Sequence, residues 1–288
     1  MKISEVLKEK KWLSFEVFPP KEDQPMQPLL ETLEQLYRFE PSCISCTYGA
    51  GGTSQGRSIE TCAAIKKSGK SEIIAHLTCI GNRKEDVNRQ VAALIQSGVE
   101  NMLLLRGDLP AGWTDPKSDF AHANELISYV KSIAPALCIA GGCYPEKHVE
   151  ADTFDQEIDS LRKKCDAGAE FFITQLCHDE NAIYKYLNRL RNAGISQPVI
   201  IGIMPVLNKD SIIRMTLSNG CSIPAPLARI MALYEGKPDD FRAAGKEYTA
   251  NMVQRLLDAG VDGVHIFTLN RYKASFDILA KCGIYPKT

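Results

Sequence analysis

The sequence predicts an α/β fold, a (β/α)8 TIM barrel with extra helices between its seventh and eighth strands. Three observations predict it. Apolar, β-rich runs recur along the chain with helical segments between them. The first seven runs start about thirty residues apart, the length of one strand plus a crossover helix. The runs number eight, the strand count at which this kind of parallel sheet closes on itself.

The first run, WLSFEVF (12–18), alternates. Leu13, Phe15 and Val17 share one face, and Ser14, Glu16 and Phe18 share the other. In a barrel the outward face packs under helices and is apolar, whereas the inward face carries both the core layers and the site. The polar members therefore mark the inward face and turn Glu16 into the barrel, near the C-terminal end of its strand. Pro19 and Pro20 stop the strand just beyond it. A helix follows over 26–38, with Met26, Leu29, Leu30, Leu33 and Leu36 at helical spacing. The second run is SCISCTY (42–48), with GAGGTSQG (49–56) after it. In the third, EIIAHLTC (72–79), Ile73, Ala75 and Leu77 face out while Ile74, His76 and Thr78 face in. The helix over 84–97 carries Val87, Val91, Leu94 and Ile95 and closes at Ser97-Gly98. NMLLLRGD (101–108) sets Asp108 just past strand four, and ALCIAGGCY (136–144) is strand five. A helix over 152–167 starts at Asp152 as N-cap and ends at Gly168. EFFITQLC (170–177) closes on Gln175, and PVIIGIMPV (198–206) is strand seven. The long interval before DGVHIFTL (262–269) holds an extra helix at 225–235 and a longer one at 239–259. No Pro/Gly/Ser-rich linker or low-complexity tract divides the chain, so residues 1–288 read as one catalytic domain.

Composition narrows the function classes. The 288 residues are 44% hydrophobic and 24% charged, with a formal net charge of -1, which fits a globular protein and gives no global pull toward nucleic acid. The N-terminus lacks the apolar core of a secretion signal, and no run approaches the roughly 18 apolar residues of a membrane span. The expectation is a cytoplasmic protein without nucleic-acid or membrane partners, whose ten cysteines are mostly free thiols.

Polar residues gather at the ends of four predicted strands: Glu16, His76, Asp108 and Gln175. Barrel enzymes place their chemistry at these ends. An inward His76 serves equally as a hydrogen-bonded core residue, Asp108 as a loop cap and Gln175 as a backbone partner. Glu16 is harder to explain structurally, because burying a carboxylate without use is costly. A carboxyl shielded from water suits general-acid work near neutral pH. Two motifs point elsewhere and fail. GAGGTSQG lacks the third glycine of a dinucleotide fingerprint, Ser54 standing in its place, and it follows a second strand. Cys43-x-x-Cys46 lies on a strand, where positions three apart face opposite ways, and no second pair completes a metal set. No metal is expected.

Taken in order, SFEVFPPK, CTYGAGG, HLTC, LLLRGD, GGCYPEKHVEA, ITQLC, GIMPV and FTLNR resemble the 5,10-methylenetetrahydrofolate reductase family. The resemblance runs from Ser14 to Arg271 and is similar to bacterial members from anaerobes. It implies a flavoprotein of one-carbon metabolism with non-covalent FAD, acting on methylenetetrahydrofolate and NAD(P)H. By the same resemblance Glu16 is the catalytic acid and Asp108 a catalytic group beside the flavin. It puts FAD contacts at Thr47, Tyr48, Ala50, His76, Arg106, Gly107, Asp108, Ala121, Tyr144, His148, Ala151 and Lys164, and folate contacts at Gln175 and Arg271. Glu157, Ser160, Lys163, Ser211 and Met215 depart from the enterobacterial pattern. The resemblance also allows a second electron-transfer subunit and a homo-oligomer.

Overall fold

A computed structural model describes residues 1–7, 12–48, 55–109 and 112–287. The chain starts with a short helix, α1 (Ile3–Val6), followed by β1 (Trp12–Val17) and α2 (Gln27–Tyr37). Then β2 (Cys43–Cys46), α3 (Gln55–Ser68), β3 (Glu72–Thr78), α4 (Lys84–Gln96), β4 (Asn101–Leu105) and α5 (Ala123–Ile133) alternate. They continue as β5 (Cys138–Cys143), α6 (Phe154–Asp166), β6 (Phe171–Thr174), α7 (Glu180–Asn192) and β7 (Val199–Ile203). Three helices, α8 (Lys209–Ser218), α9 (Ala225–Leu233) and α10 (Pro238–Asp258), precede β8 (Gly263–Phe267) and α11 (Tyr272–Lys281). The eight strands form a closed barrel in sequence order. β8 returns to pair in parallel with β1, setting Ser14 opposite His265 and Glu16 opposite Phe267. Closure is tight: a Cβ on Gly263 would lie 2.3 Å from the Cβ of Trp12, so only glycine lets β8 meet β1 there.

The strand faces divide as expected. Phe15, Val17, Ile73, Ala75 and Leu77 join Leu29, Leu33, Leu36, Val87 and Val91 in the layer between strands and helices. Inside the barrel, Trp12, Cys43, Ile74, Leu103, Phe171 and Ile200 fill the N-terminal half. Cys43 and Cys46 fall on opposite faces, one in each of these clusters. All ten cysteines are free thiols.

Two features differ from the sequence reading. The helix over 152–167 is capped by Thr153, not Asp152. Thr153 Oγ1 accepts from Gln156 N at 3.3 Å, and Gln156 reaches back to the amide of Thr153, a reciprocal capping box that Asp152 is one residue too early to make. Helix α1 was not predicted, being too short to show a period. It closes the N-terminal end of the barrel: Ile3 is fully buried, its amide donates to Asn101 Oδ1 at 2.8 Å, and the Met1 ammonium pairs with Glu72 and Glu100. Among the described residues no helix is long and apolar enough to cross a membrane.

Candidate active site

The alternation of β1 delivers Glu16 to the C-terminal mouth of the barrel, 9% exposed. Its Oε2 lies 3.9 Å from His76 Nε2 on β3 and 3.8 Å from His265 Nε2 on β8. Hydrogen bonds hold the His265 ring in place. Trp12 Nε1 donates to Ser14 Oγ at 2.7 Å, and Ser14 Oγ lies 2.7 Å from His265 Nδ1. The Ser14 hydroxyl thus links Trp12 to one edge of the His265 ring and leaves Nε2 at the other. That nitrogen faces Glu16 and Ser45 Oγ, the latter at 3.3 Å. The main chain is held too: Thr268 Oγ1 donates to the carbonyl of Glu16 at 2.6 Å.

His76 is different. Its Nε2 is buried without a hydrogen-bond partner. Burial pulls His76 down to about 4 against the opposing pull of Glu16, with a further downward push from His265, so the ring is neutral at pH 7. A neutral, desolvated imidazole with a spare nitrogen faces the same space as a carboxyl group.

That space is a cavity of about 560 Å3 above the cluster, within the range of small-molecule sites. Thr47, Tyr48, Arg106, Gly107, Asp108, Tyr144, His148 and Gln175 line it with Glu16 and His76. Leu103, Leu105, Ile173, Met204, Met215 and Phe267 supply an apolar wall. Gly107 has φ +82, and a Cβ there would meet Thr78 Cβ at 2.9 Å, so glycine is what lets the loop after β4 fold against β3. Tyr48 Oη donates to Asn82 Oδ1 at 3.2 Å. Tyr144 and His148 stack edge to face at 4.8 Å. Burial raises the Tyr144 phenol, and burial together with Arg106 lowers His148. Arg106 gives its guanidinium fork to Glu150, with Nη2 2.8 Å from Oε1. Gln175 donates from Nε2 to Asn219 Oδ1 at 2.9 Å and accepts at Oε1 from Leu176 N at 2.7 Å. Asp108 is exposed at the rim.

Other expected residues stand apart. Lys164 is buried behind β5, where Nζ donates to the Gly142 carbonyl at 2.8 Å, and burial lowers its pKa. Its neighbour Glu157 accepts from Tyr144 N at 3.2 Å and is raised by burial. Ala151 N closes the loop after β5 by donating to His148 O at 2.9 Å. Ala121 is exposed before α5, and Arg271 is exposed at the N-terminus of α11. None of Ala121, Ala151, Lys164 and Arg271 is among the residues lining the cavity. Ala50 lies outside the described residues. The sequence reading missed His265, although strict alternation from Gly263 puts it on the inward face of β8.

The fold and the site define a class: a (β/α)8 barrel with a buried carboxyl group, histidines and a cavity assembled at the C-terminal mouth, as in barrel enzymes. The family model described as methylenetetrahydrofolate reductase matches residues 2–283. The chain belongs to the methylenetetrahydrofolate reductase family. The 5,10-methylenetetrahydrofolate reductase of Escherichia coli is 31% identical, over 95% of this chain and 91% of its own length. Methylenetetrahydrofolate reductase (NADH) 1 of Arabidopsis thaliana is 30% identical over 96% of this chain. The chain spans about half the length of that protein and of its fission-yeast counterpart, 49% in each. Among solved structures, a Clostridium thermocellum protein that binds two copies of 5-methyl-5,6,7,8-tetrahydrofolic acid superposes with a TM-score of 0.66. It covers 96% of this chain at 15% identity, a likeness of fold alone.

Proposed function

We propose that this chain is a one-domain flavoprotein that reduces 5,10-methylenetetrahydrofolate to 5-methyltetrahydrofolate, with Glu16 as general acid. The observation that carries the reading is the carboxyl group of Glu16 at the barrel mouth, bracketed by His76 and His265 beneath the cavity. Family membership supports the reaction class.

The residues present fit FAD. His76 Nε2 is a buried polar atom in need of a partner. Arg106 and His148 offer cationic and donor groups for a diphosphate, and the apolar wall of Leu103, Leu105 and Ile173 suits a flat ring. Thr47, Tyr48, Arg106, Gly107, Tyr144 and His148 would hold the cofactor, with Lys164 backing β5. When bound, FAD supplies the hydride chemistry that side chains lack.

The protein's own part is proton delivery and orientation. The methylene bridge of the substrate accepts hydride poorly while its five-membered ring is closed. Protonation at N10 opens that ring to a 5-iminium cation, and Glu16 is placed to give the proton. His265, whose Nε2 lies 3.8 Å from Glu16 Oε2, steadies the carboxylate left behind. Asp108 at the rim opposes the developing positive charge. Gln175 meets the substrate's polar edge. The apolar wall excludes water from the iminium, which water would otherwise capture.

Separate measurement of the two half-reactions tests this. Glu16→Gln should keep the flavin absorbance and reduction by a dye or NAD(P)H, and lose about 10^2- to 10^4-fold in folate reduction. Normal folate turnover in that variant removes Glu16 from the mechanism. A preparation that cannot be loaded with FAD removes the flavoprotein reading.

A further inference from the structure

Gln175 is the mouth residue whose side chain has two chemically opposite ends, so its orientation decides what it can recognise. The structure fixes that orientation from both sides. Leu176 N is a donor and sits 2.7 Å from Oε1, which must therefore be oxygen. At the other end Asn219 Oδ1 sits 2.9 Å from Nε2. Asn219 is itself polarised, because its Nδ2 donates to the Met215 carbonyl at 2.8 Å. A carbonyl only accepts, so the Asn219 amide can turn only its oxygen to Gln175, and Gln175 can answer only with nitrogen.

Asn219 is held where this works. It is the C-cap of α8, and the loop after it is pinned by Glu146, whose two carboxylate oxygens each accept from Ser222 N at 3.1 Å. Gly220 follows with φ +64, packed so closely on Val149 that a Cβ would come within 2.6 Å of its Cγ1. Both Gln175 and Asn219 line the cavity. With one hydrogen and one lone pair committed, the Gln175 amide keeps one N–H and one carbonyl lone pair for a ligand. That pair complements a cyclic amide edge, an N–H next to a C=O.

We infer that Asn219 is a positioning residue for substrate: it locks the Gln175 amide so that its donor–acceptor pair reads the cyclic amide edge of the pterin ring. The inference rests on the folate reading above. Leu176 N sets the oxygen end of the Gln175 amide, and among the contacts the structure shows for this side chain Asn219 Oδ1 is what holds its nitrogen end.

The test combines titration of 5-methyltetrahydrofolate into the FAD-loaded protein with NMR of the Gln175 side-chain amide. Asn219→Ala should weaken folate binding about tenfold, the worth of one neutral hydrogen bond and the order it imposes. It should raise KM for folate while leaving kcat within about twofold, and leave reduction by a dye donor unchanged. In a Gln175→Ala background the same substitution should cost nothing more. Ser218→Ala is the control for a frayed helix end, since Ser218 Oγ also donates to the Met215 carbonyl, at 3.1 Å. It should bind folate as the wild type does. The Gln175 amide protons should be slow to exchange in the wild type and fast in Asn219→Ala, whether or not folate binds. Full folate affinity in Asn219→Ala, or an equal loss with and without Gln175, overturns the inference. Unchanged amide exchange overturns it as well. A wild type that binds no folate but shows protected amide protons overturns the folate reading and leaves the lock itself standing.

Discussion

The floor and the mouth of this barrel come from the same eight strands and are chemically opposite. At the floor, Trp12, Ile74, Phe171 and Ile200 fill the interior and Ile3 of α1 closes it. Trp12 and Phe171 pack at 6.5 Å, and Trp12 finds a partner for its indole N–H in Ser14. Four residues beyond Trp12 on β1 stands Glu16, and the inward positions of β2, β3 and β8 carry Ser45, His76 and His265. At the mouth a histidine nitrogen goes without a partner and a carboxyl group sits in shelter. The difference teaches that the floor supplies the stability that lets the mouth hold polar groups in unfavourable places.

The sharpest way to break this division is Phe171→Ala. A buried aromatic truncated in a close-packed floor should cost about 3–5 kcal/mol of stability. Chemical denaturation would show it as a lower midpoint. The folded fraction should still bind flavin and folate in the wild-type ratio, because no mouth residue is touched. Loss of ligand binding with the midpoint unchanged would mean that floor and mouth are not separable.

The second prediction concerns pH. Burial lowers two histidines to about 4, His76 in the mouth and His178 after β6, against about 6.5 in an unfolded chain. Between those values the unfolded state binds protons that the folded state refuses. Stability is therefore full above about pH 6.5 and falls as the pH drops toward about 4. Each histidine should cost about 2 kcal/mol between pH 7.5 and pH 5. His178 owes its shift to burial alone, whereas Glu16 partly offsets that of His76. His178→Gln should thus remove about half of the acid-induced fall in the urea midpoint. An undiminished fall in that variant would assign the acid sensitivity elsewhere.

How much of this was legible in the chain follows from what carries each feature. Strand faces are local and periodic, so the inward placement of Glu16 and His76 could be read before any fold was known. The same rule applied to GVHIF would have produced His265, the partner of Glu16 that strand eight hid among apolar neighbours. Asn219 was out of reach, because its pairing with Gln175 spans 44 positions and depends on where a helix ends. The capping box at Thr153 was legible, and Asp152 displaced it only because both are good caps. Arg106 lines the mouth cavity, but its pairing with Glu150, 44 positions away, could not be read from the chain, because it depends on the path of the loop after β5.

That pair gives the smallest prediction and the finest probe of the mouth. Arg106 presents its two terminal guanidinium nitrogens, Nη1 and Nη2, to the carboxylate of Glu150, which hydrogen bonding to Arg106 holds below its usual range. A diphosphate taking the same fork must first exchange with Glu150. Glu150 is 61% exposed, so the exchange costs little, on the order of 0.2–1 kcal/mol. Glu150→Gln keeps the shape and removes the competing charge. FAD should therefore bind two- to fivefold more tightly, an estimate of about the same size as the surface pair, read by fluorescence titration of the flavin-free protein. The gain should shrink as salt rises, because salt screens the pair that the substitution removes. Unaltered affinity at low salt would show that the cofactor leaves Arg106 with Glu150, and that the mouth recruits its anion through His148 and the main chain instead.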